Sequence, residues 1–202
     1  MSQDKNKPSR RQQILEILAQ QLEESPGQRI TTASLAKAVG VSEAALYRHF
    51  PSKARMYEGL IEFIEASIFG LIARIMEEDP SSHGRCKKIT ALLLTFSERN
   101  PGMTRIMIGD ALIGENERLH ARIVQLFDRI ESQYKQILRE GNLANELQRE
   151  THVAASANLF LSFAEGRMNQ YVRSHFKRSP TEDWERQWQM MSETIFSASS
   201  AQ

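Results

Sequence analysis

Three observations predict an all-α fold. Apolar residues recur at helical spacing, no stretch sustains the alternation of a half-buried strand, and Pro and Gly interrupt the pattern only at wide intervals. The interruptions are Pro26-Gly27, Gly40, Pro51, Asp79-Pro80, Asn100-Pro101-Gly102, Gly141-Asn142 and Ser179-Pro180. They leave room for about nine helices of ordinary length. With 202 residues, 41% hydrophobic and 25% charged, the composition is that of one globular domain or two small ones, which excludes disorder throughout.

The chain begins with a polar arm over residues 1–8. Ile14, Leu15, Leu18 and Leu22 then share one face of a first helix. Thr31 is placed to N-cap a two-turn helix whose Leu35, Ala36 and Val39 face inward, and Gly40 ends it. Val41 plugs the turn, and Ser42 caps a second short helix holding Ala44, Ala45, Leu46 and Tyr47. Asn100, preceding Pro101, is biased away from helical geometry and marks a boundary. Ile123, Leu126, Phe127, Ile130, Tyr134, Ile137 and Leu138 form the longest apolar stripe, and Gly141 is expected to stop that helix in the left-handed conformation. Ser179-Pro180-Thr181-Glu182 has the spacing of a capping box with Pro at the first helical position, predicting a last helix to about Ser197. No repeat of 20 to 50 residues is present.

Two short helices joined by a tight glycine turn make a helix-turn-helix, whose second helix is slim at Ala44 and Ala45 and suits close approach to a major groove about 12 Å wide. Thr31, Thr32, Ser42, Tyr47, His49 and Lys53 can all donate to phosphate oxygens, and the N-termini of both short helices add oriented N–H groups. Glu43, Ala44, Ala45 and Arg48 are the candidates to meet base edges, Arg as a bidentate donor to guanine and the alanine methyls against thymine. Topology alone does not make such a pair a DNA reader.

Charge is compatible with that use. The 26 Lys and Arg nearly cancel the 25 Asp and Glu, but residues 1–55 hold nine of the bases and five of the acids, so the head is basic and the remainder slightly acidic. The single cysteine, Cys86, excludes an internal disulfide, and neither a secretory leader nor an apolar run near the roughly 20 residues of a membrane span is evident, so the expected compartment is the cytoplasm. The five histidines show no metal-ligand spacing with Cys86, and there is no phosphate loop, nucleophile elbow or acid/base pair, so neither enzyme, metal nor cofactor is expected. Met103 and Met107 flank a possible pocket wall but have the spacing of core filling, which leaves a small-molecule ligand open.

The run Leu46-Tyr47-Arg48-His49-Phe50-Pro51-Ser52-Lys53, preceded by Gly40-Val41-Ser42, resembles the signature of TetR-family regulators. The resemblance implies a three-helix DNA-binding domain over 9–51, a longer helix from Ser52, and a helical dimerisation and partner-binding domain over 52–202. It also implies homodimers whose recognition helices read the halves of a near-palindrome in adjacent major-groove turns. The family's phosphate contacts fall on Thr31, Thr32, Tyr47, His49 and Lys53, and its base-reading positions on Glu43, Ala44, Ala45 and Arg48. Leu35, Ala36, Val39, Val41, Leu46 and Phe50 look like the miniature core.

A second stretch, Ser97-Glu98-Arg99-Asn100-Pro101-Gly102-Met103-Thr104-Arg105-Ile106, is similar to the nucleoid-occlusion branch of that family, as are Val41–Arg55, Leu60–Glu65 and the tail around Val172–Lys177. The similarity is weakest at Gly109–Asn116 and Gly141–His152. It implies nucleoid-associated dimers that, once DNA-bound, engage the tubulin-like division protein FtsZ and prevent septum assembly over the chromosome. The partner surface would include Phe63, Leu92, Arg99 and Asn100. Spacing alone equally allows Arg99 to cap its own helix and Phe63 to be core. The competing expectation is a ligand-responsive repressor of a neighbouring operon.

Seven of the 15 aromatics, Phe160, Phe163, Tyr171, Phe176, Trp184, Trp188 and Phe196, fall in the last 52 residues. Such clustering predicts a two-fold four-helix bundle with a second subunit, the alternative being packing onto residues 115–140 of the same chain.

Overall fold

The computed structural model describes residues 9–197; the expected polar arm over 1–8 lies outside them. The order is α1 (Arg10–Glu24), α2 (Thr32–Val39), α3 (Glu43–His49), α4 (Lys53–Glu78), α5 (Ser82–Arg99), α6 (Pro101–Met107), a 3₁₀ turn (Asp110–Leu112), α7 (Glu117–Leu143), α8 (Val153–Arg173) and α9 (Trp184–Ser192). Nine α-helices and no strand are present among the described residues, apart from one isolated antiparallel bridge between Leu147 and Phe196.

Each of the first four helices starts at a hydroxyl. Ser9, Thr31, Ser42 and Ser52 accept backbone N–H groups of Gln12, Ser34, Ala45 and Arg55, which satisfies donors that the first helical turn leaves open. At the α2–α3 turn Gly40 has φ +74°, and the N–H of Val41 returns to the Ala36 carbonyl. No atom crowds a Cβ at Gly40, so the positive φ alone is what calls for glycine. Ile14, Leu18 and Leu22 of α1 meet Leu35, Ala36, Val39, Leu46 and Phe50 in one buried cluster.

Helices α4, α5, α7 and α8 form the body. Ile64, Ile68 and Ile72 face Ile89, Leu93, Leu126, Ile130 and Phe160, all buried. Within this apolar packing the Thr90 and Tyr134 hydroxyls bond each other at 2.7 Å, and Thr90 also donates to the Cys86 carbonyl. Burial pushes the Tyr134 hydroxyl and the Cys86 thiol well above their ordinary pKa values, so both stay protonated.

Head and body meet through α6. A Cβ on Gly102 would stand 2.0 Å from the Ala19 carbonyl oxygen, so only glycine lets α1 and α6 lie this close. Arg105, buried to 2% exposure, reaches across the same seam. It donates to the carbonyls of Leu22 (2.7 Å) and Ser25 (2.9 Å) and pairs with Asp110 at 2.5 Å.

Two helix ends differ from the sequence expectation. Gly141 does not stop α7, which continues to Leu143; its missing side chain instead makes room for Ser82, whose Oγ would lie 2.4 Å from a Cβ there. Ser179 does not cap a helix, and α9 begins only at Trp184. The Arg167 guanidinium collects the carbonyls of Ser179, Pro180 and Glu182, while Glu98 takes the hydroxyls of Ser179 and Thr181, so the groups that would build a first turn are spent elsewhere. The clustered aromatics find ring partners within the chain. Phe160, Trp188 and Phe196 pack with His83 of α5 and Tyr134 of α7, Phe163 with Trp184, and Tyr171 with Phe176; five of the seven are buried and Phe163 and Phe176 half-buried. What α8 leaves exposed is a polar and small face, with Ala154, Ala155, Asn158, Ser162, Gly166 and Asn169, interrupted by Leu159.

Candidate nucleic-acid interface

Helix α3 buries only Leu46 and is held against the head by that side chain and by Phe50 behind it. Arg11 of α1 lies over the Phe50 ring at 4.6 Å and helps to fix the end of the helix. Glu43, Ala44, Tyr47, Arg48 and His49 are exposed and Ala45 is half-buried, so the base-edge candidates face solvent along one short ridge.

The candidate phosphate donors differ in how free they are. The Thr31 and Ser42 oxygens accept capping N–H groups, which leaves each hydroxyl proton available for donation. Thr32 donates its hydroxyl to Glu43 at 2.8 Å, tying the N-termini of α2 and α3 together, so neither group is unengaged in this state. Lys53, half-buried at the start of α4, places its ammonium 2.5 Å from Glu115 and 5.4 Å from the Tyr57 ring centroid. Arg29 adds a longer contact of 3.6 Å to the same carboxylate. Sequence reasoning missed Glu115 and Arg29. They are 62 and 24 residues from Lys53, and no local pattern connects them.

Lys53→Ala is expected to weaken binding to every duplex alike and to reduce the salt slope by about one unit, since one phosphate contact releases about one counterion. Fluorescence anisotropy across a salt series reads this directly. An unchanged slope would take Lys53 out of the phosphate set.

Of the candidate partner residues, Phe63 is 50% exposed on α4 and lines a groove of about 470 Å³ with Arg11, Leu15, Leu60 and Met103. It is therefore not core. Arg99 is exposed at the end of α5, and Asn100 spends its side-chain amide on the Phe96 carbonyl at 2.8 Å while Pro101 opens α6. Leu92, about two turns earlier on α5, is half-buried against the core. Met107 is buried, and only Met103 reaches the groove. No group of three or more His, Cys, Asp or Glu able to hold a metal occurs among the described residues, and no described helix is long and apolar enough to cross a membrane.

A three-helix head with an exposed second turn-helix, carried by a long α4 on an all-helical body, defines a helix-turn-helix regulator of the TetR class. Residues 14–60 match the model for bacterial regulatory proteins of the tetR family, and residues 81–195 match that for the tetracyclin repressor-like C-terminal domain. A TetR-family regulator from Agrobacterium tumefaciens has the same fold, with a TM-score of 0.77 at 16% identity over 94% of this chain and 98% of that one. Nucleoid occlusion factor SlmA of Idiomarina loihiensis is 57% identical over 95% of this chain and 98% of its own. SlmA of Shewanella amazonensis is 59% identical over 91% and 93%. The chain belongs to the SlmA family of nucleoid occlusion factors within the TetR class.

Proposed function

We propose that the protein is a nucleoid occlusion factor that binds near-palindromic chromosomal sites as a homodimer and, in that state, inhibits assembly of FtsZ over the nucleoid. The observation that carries this reading is the conjunction of an exposed α3 ridge with full-length identity above one half to proteins named for nucleoid occlusion. In this reading residues 9–51 are the DNA-binding domain. Thr31, Thr32, Ser42, Tyr47, His49 and Lys53 set its register on phosphates, and Glu43, Ala44, Ala45 and Arg48 meet the bases. Residues 52–202 dimerise and hold the division partner through Phe63, Leu92, Arg99 and Asn100. The small exposed face of α8 lets a second copy approach closely, which a palindrome requires. The place of action is the cytoplasm, at the nucleoid.

The groove beside Phe63 supports its partner assignment: an exposed aromatic beside Leu15, Leu60 and Met103, with the solvent-facing Arg11 at the edge, is the composition of an interface anchor. Arg99→Asp is expected to leave duplex affinity within twofold while abolishing the effect on FtsZ polymers; loss of both activities would make Arg99 a structural residue. Chromatin occupancy tests the larger reading. Many sites around the chromosome, sparse near the terminus, are expected. One or two sites at a neighbouring promoter would instead identify a local repressor.

A further inference from the structure

Glu115 lies in the loop between the 3₁₀ turn and α7, its backbone N–H bonded to the Leu112 carbonyl at 2.9 Å. Its side chain is 9% exposed, and its two cationic neighbours are Arg29, in the α1–α2 loop of the head, and Lys53, the first residue of α4, where head and body join. Lys53 Nζ stands 2.5 Å and Arg29 Nε 3.6 Å from the same oxygen, Oε1. Lys53 in turn lies over the Tyr57 ring, and the Tyr57 hydroxyl is pushed up to about 12, by burial first and by the charge of Glu115 second. The 3₁₀ turn just before this loop carries Asp110, which holds Arg105, the residue that grips the end of α1. One segment of the body thus presents two carboxylates to the machinery that places the head.

We propose that Glu115 is a positioning residue that ties Lys53, at the junction of head and body, to the loop before α7, and that a DNA phosphate competes with it for the ammonium. The inference rests on the DNA-binding reading above and adds to it a route from DNA to the Phe63 groove. An ammonium has three donors and can meet a phosphate and a carboxylate together, but two anions on one nitrogen repel, so phosphate binding weakens the hold of Glu115 on Lys53. The loop so loosened is joined through the 3₁₀ turn to α6, which lines the Phe63 groove through Met103. By linkage, whatever releases Glu115 must also tighten DNA binding.

The test uses the full-length chain and a random-sequence duplex of about 30 base pairs at low salt, because a phosphate contact is independent of sequence. Glu115→Gln is expected to bind about fivefold tighter than the parent, the low end of coupling between linked sites. Glu115→Asp, which keeps the charge but shortens the reach, should move in the same direction. Lys53→Met should bind more weakly, and adding Glu115→Gln to it should give no further gain. An equal gain with and without Lys53 would reduce Glu115 to a general charge effect and overturn the proposal, as would unchanged or weaker binding by both Glu115 variants. A parent chain that binds no duplex contradicts the DNA-binding reading itself and is seen before any variant is compared.

Discussion

Replacing Arg105 with Ala is expected to lower folding stability by about 3 kcal/mol, the upper end of what leaving buried carbonyls without their donor costs, since the orphaned Asp110 is partly exposed and can be rehydrated. The magnitude follows from what the side chain leaves behind. Two carbonyls at the end of α1, those of Leu22 and Ser25, lose a charged donor at 2.7 and 2.9 Å, and Asp110 loses its partner. Arg105 is 2% exposed, so water replaces the lost donors only by opening the seam between α1 and α6. Arg105→Lys should recover little, because one ammonium lacks the planar fork that reaches Asp110 and the carbonyls together. Urea denaturation measures the loss. A change under about 1 kcal/mol, typical of a surface pair, would mean that the seam is already hydrated.

Ala44→Glu is expected to weaken specific duplex binding by about a hundredfold or more, each half-site suffering a disruption comparable to a mismatched base pair. The residue sits on the exposed ridge of α3, where its methyl leaves the helix slim enough to enter a groove. A glutamate there brings both bulk and a negative charge towards phosphates. The fold should survive, since position 44 is exposed and an acid in the first helical turn is favoured by the helix dipole. Unchanged circular dichroism with lost binding is the expected pair of results. An affinity drop of less than tenfold would place the groove-facing surface elsewhere.

How much of this was legible in the sequence depends on the range of the interaction. Thr31, Gly40 and Ser42 were readable because a cap and its target are at most five residues apart, and the α7 stripe because its period is local. Ser179 misled for the complementary reason. Its local pattern satisfies a capping box, but Arg167 and Glu98, 12 and 81 residues away, claim the same carbonyls and hydroxyls. Gly141 reads as a stop and serves as a clearance for Ser82, a neighbour that no spacing announces. The aromatics of the last 52 residues were counted correctly, yet their partners, His83 and Tyr134, come from distant helices. The exposed ridge of α3 followed from its short motif, whereas Glu115 and its hold on Lys53 depend on the docking of head on body and were invisible until the fold was known.

In the proposed function, DNA occupancy turns this chain into an inhibitor of division. Sedimentation of GTP-assembled FtsZ polymers tests it most directly, with the chain alone, with its cognate duplex, and with a scrambled duplex of equal length. Loss of pelleted polymer is expected with the cognate duplex, and little loss in the other two mixtures. Polymers that pellet undiminished in the presence of the DNA-bound chain would contradict it.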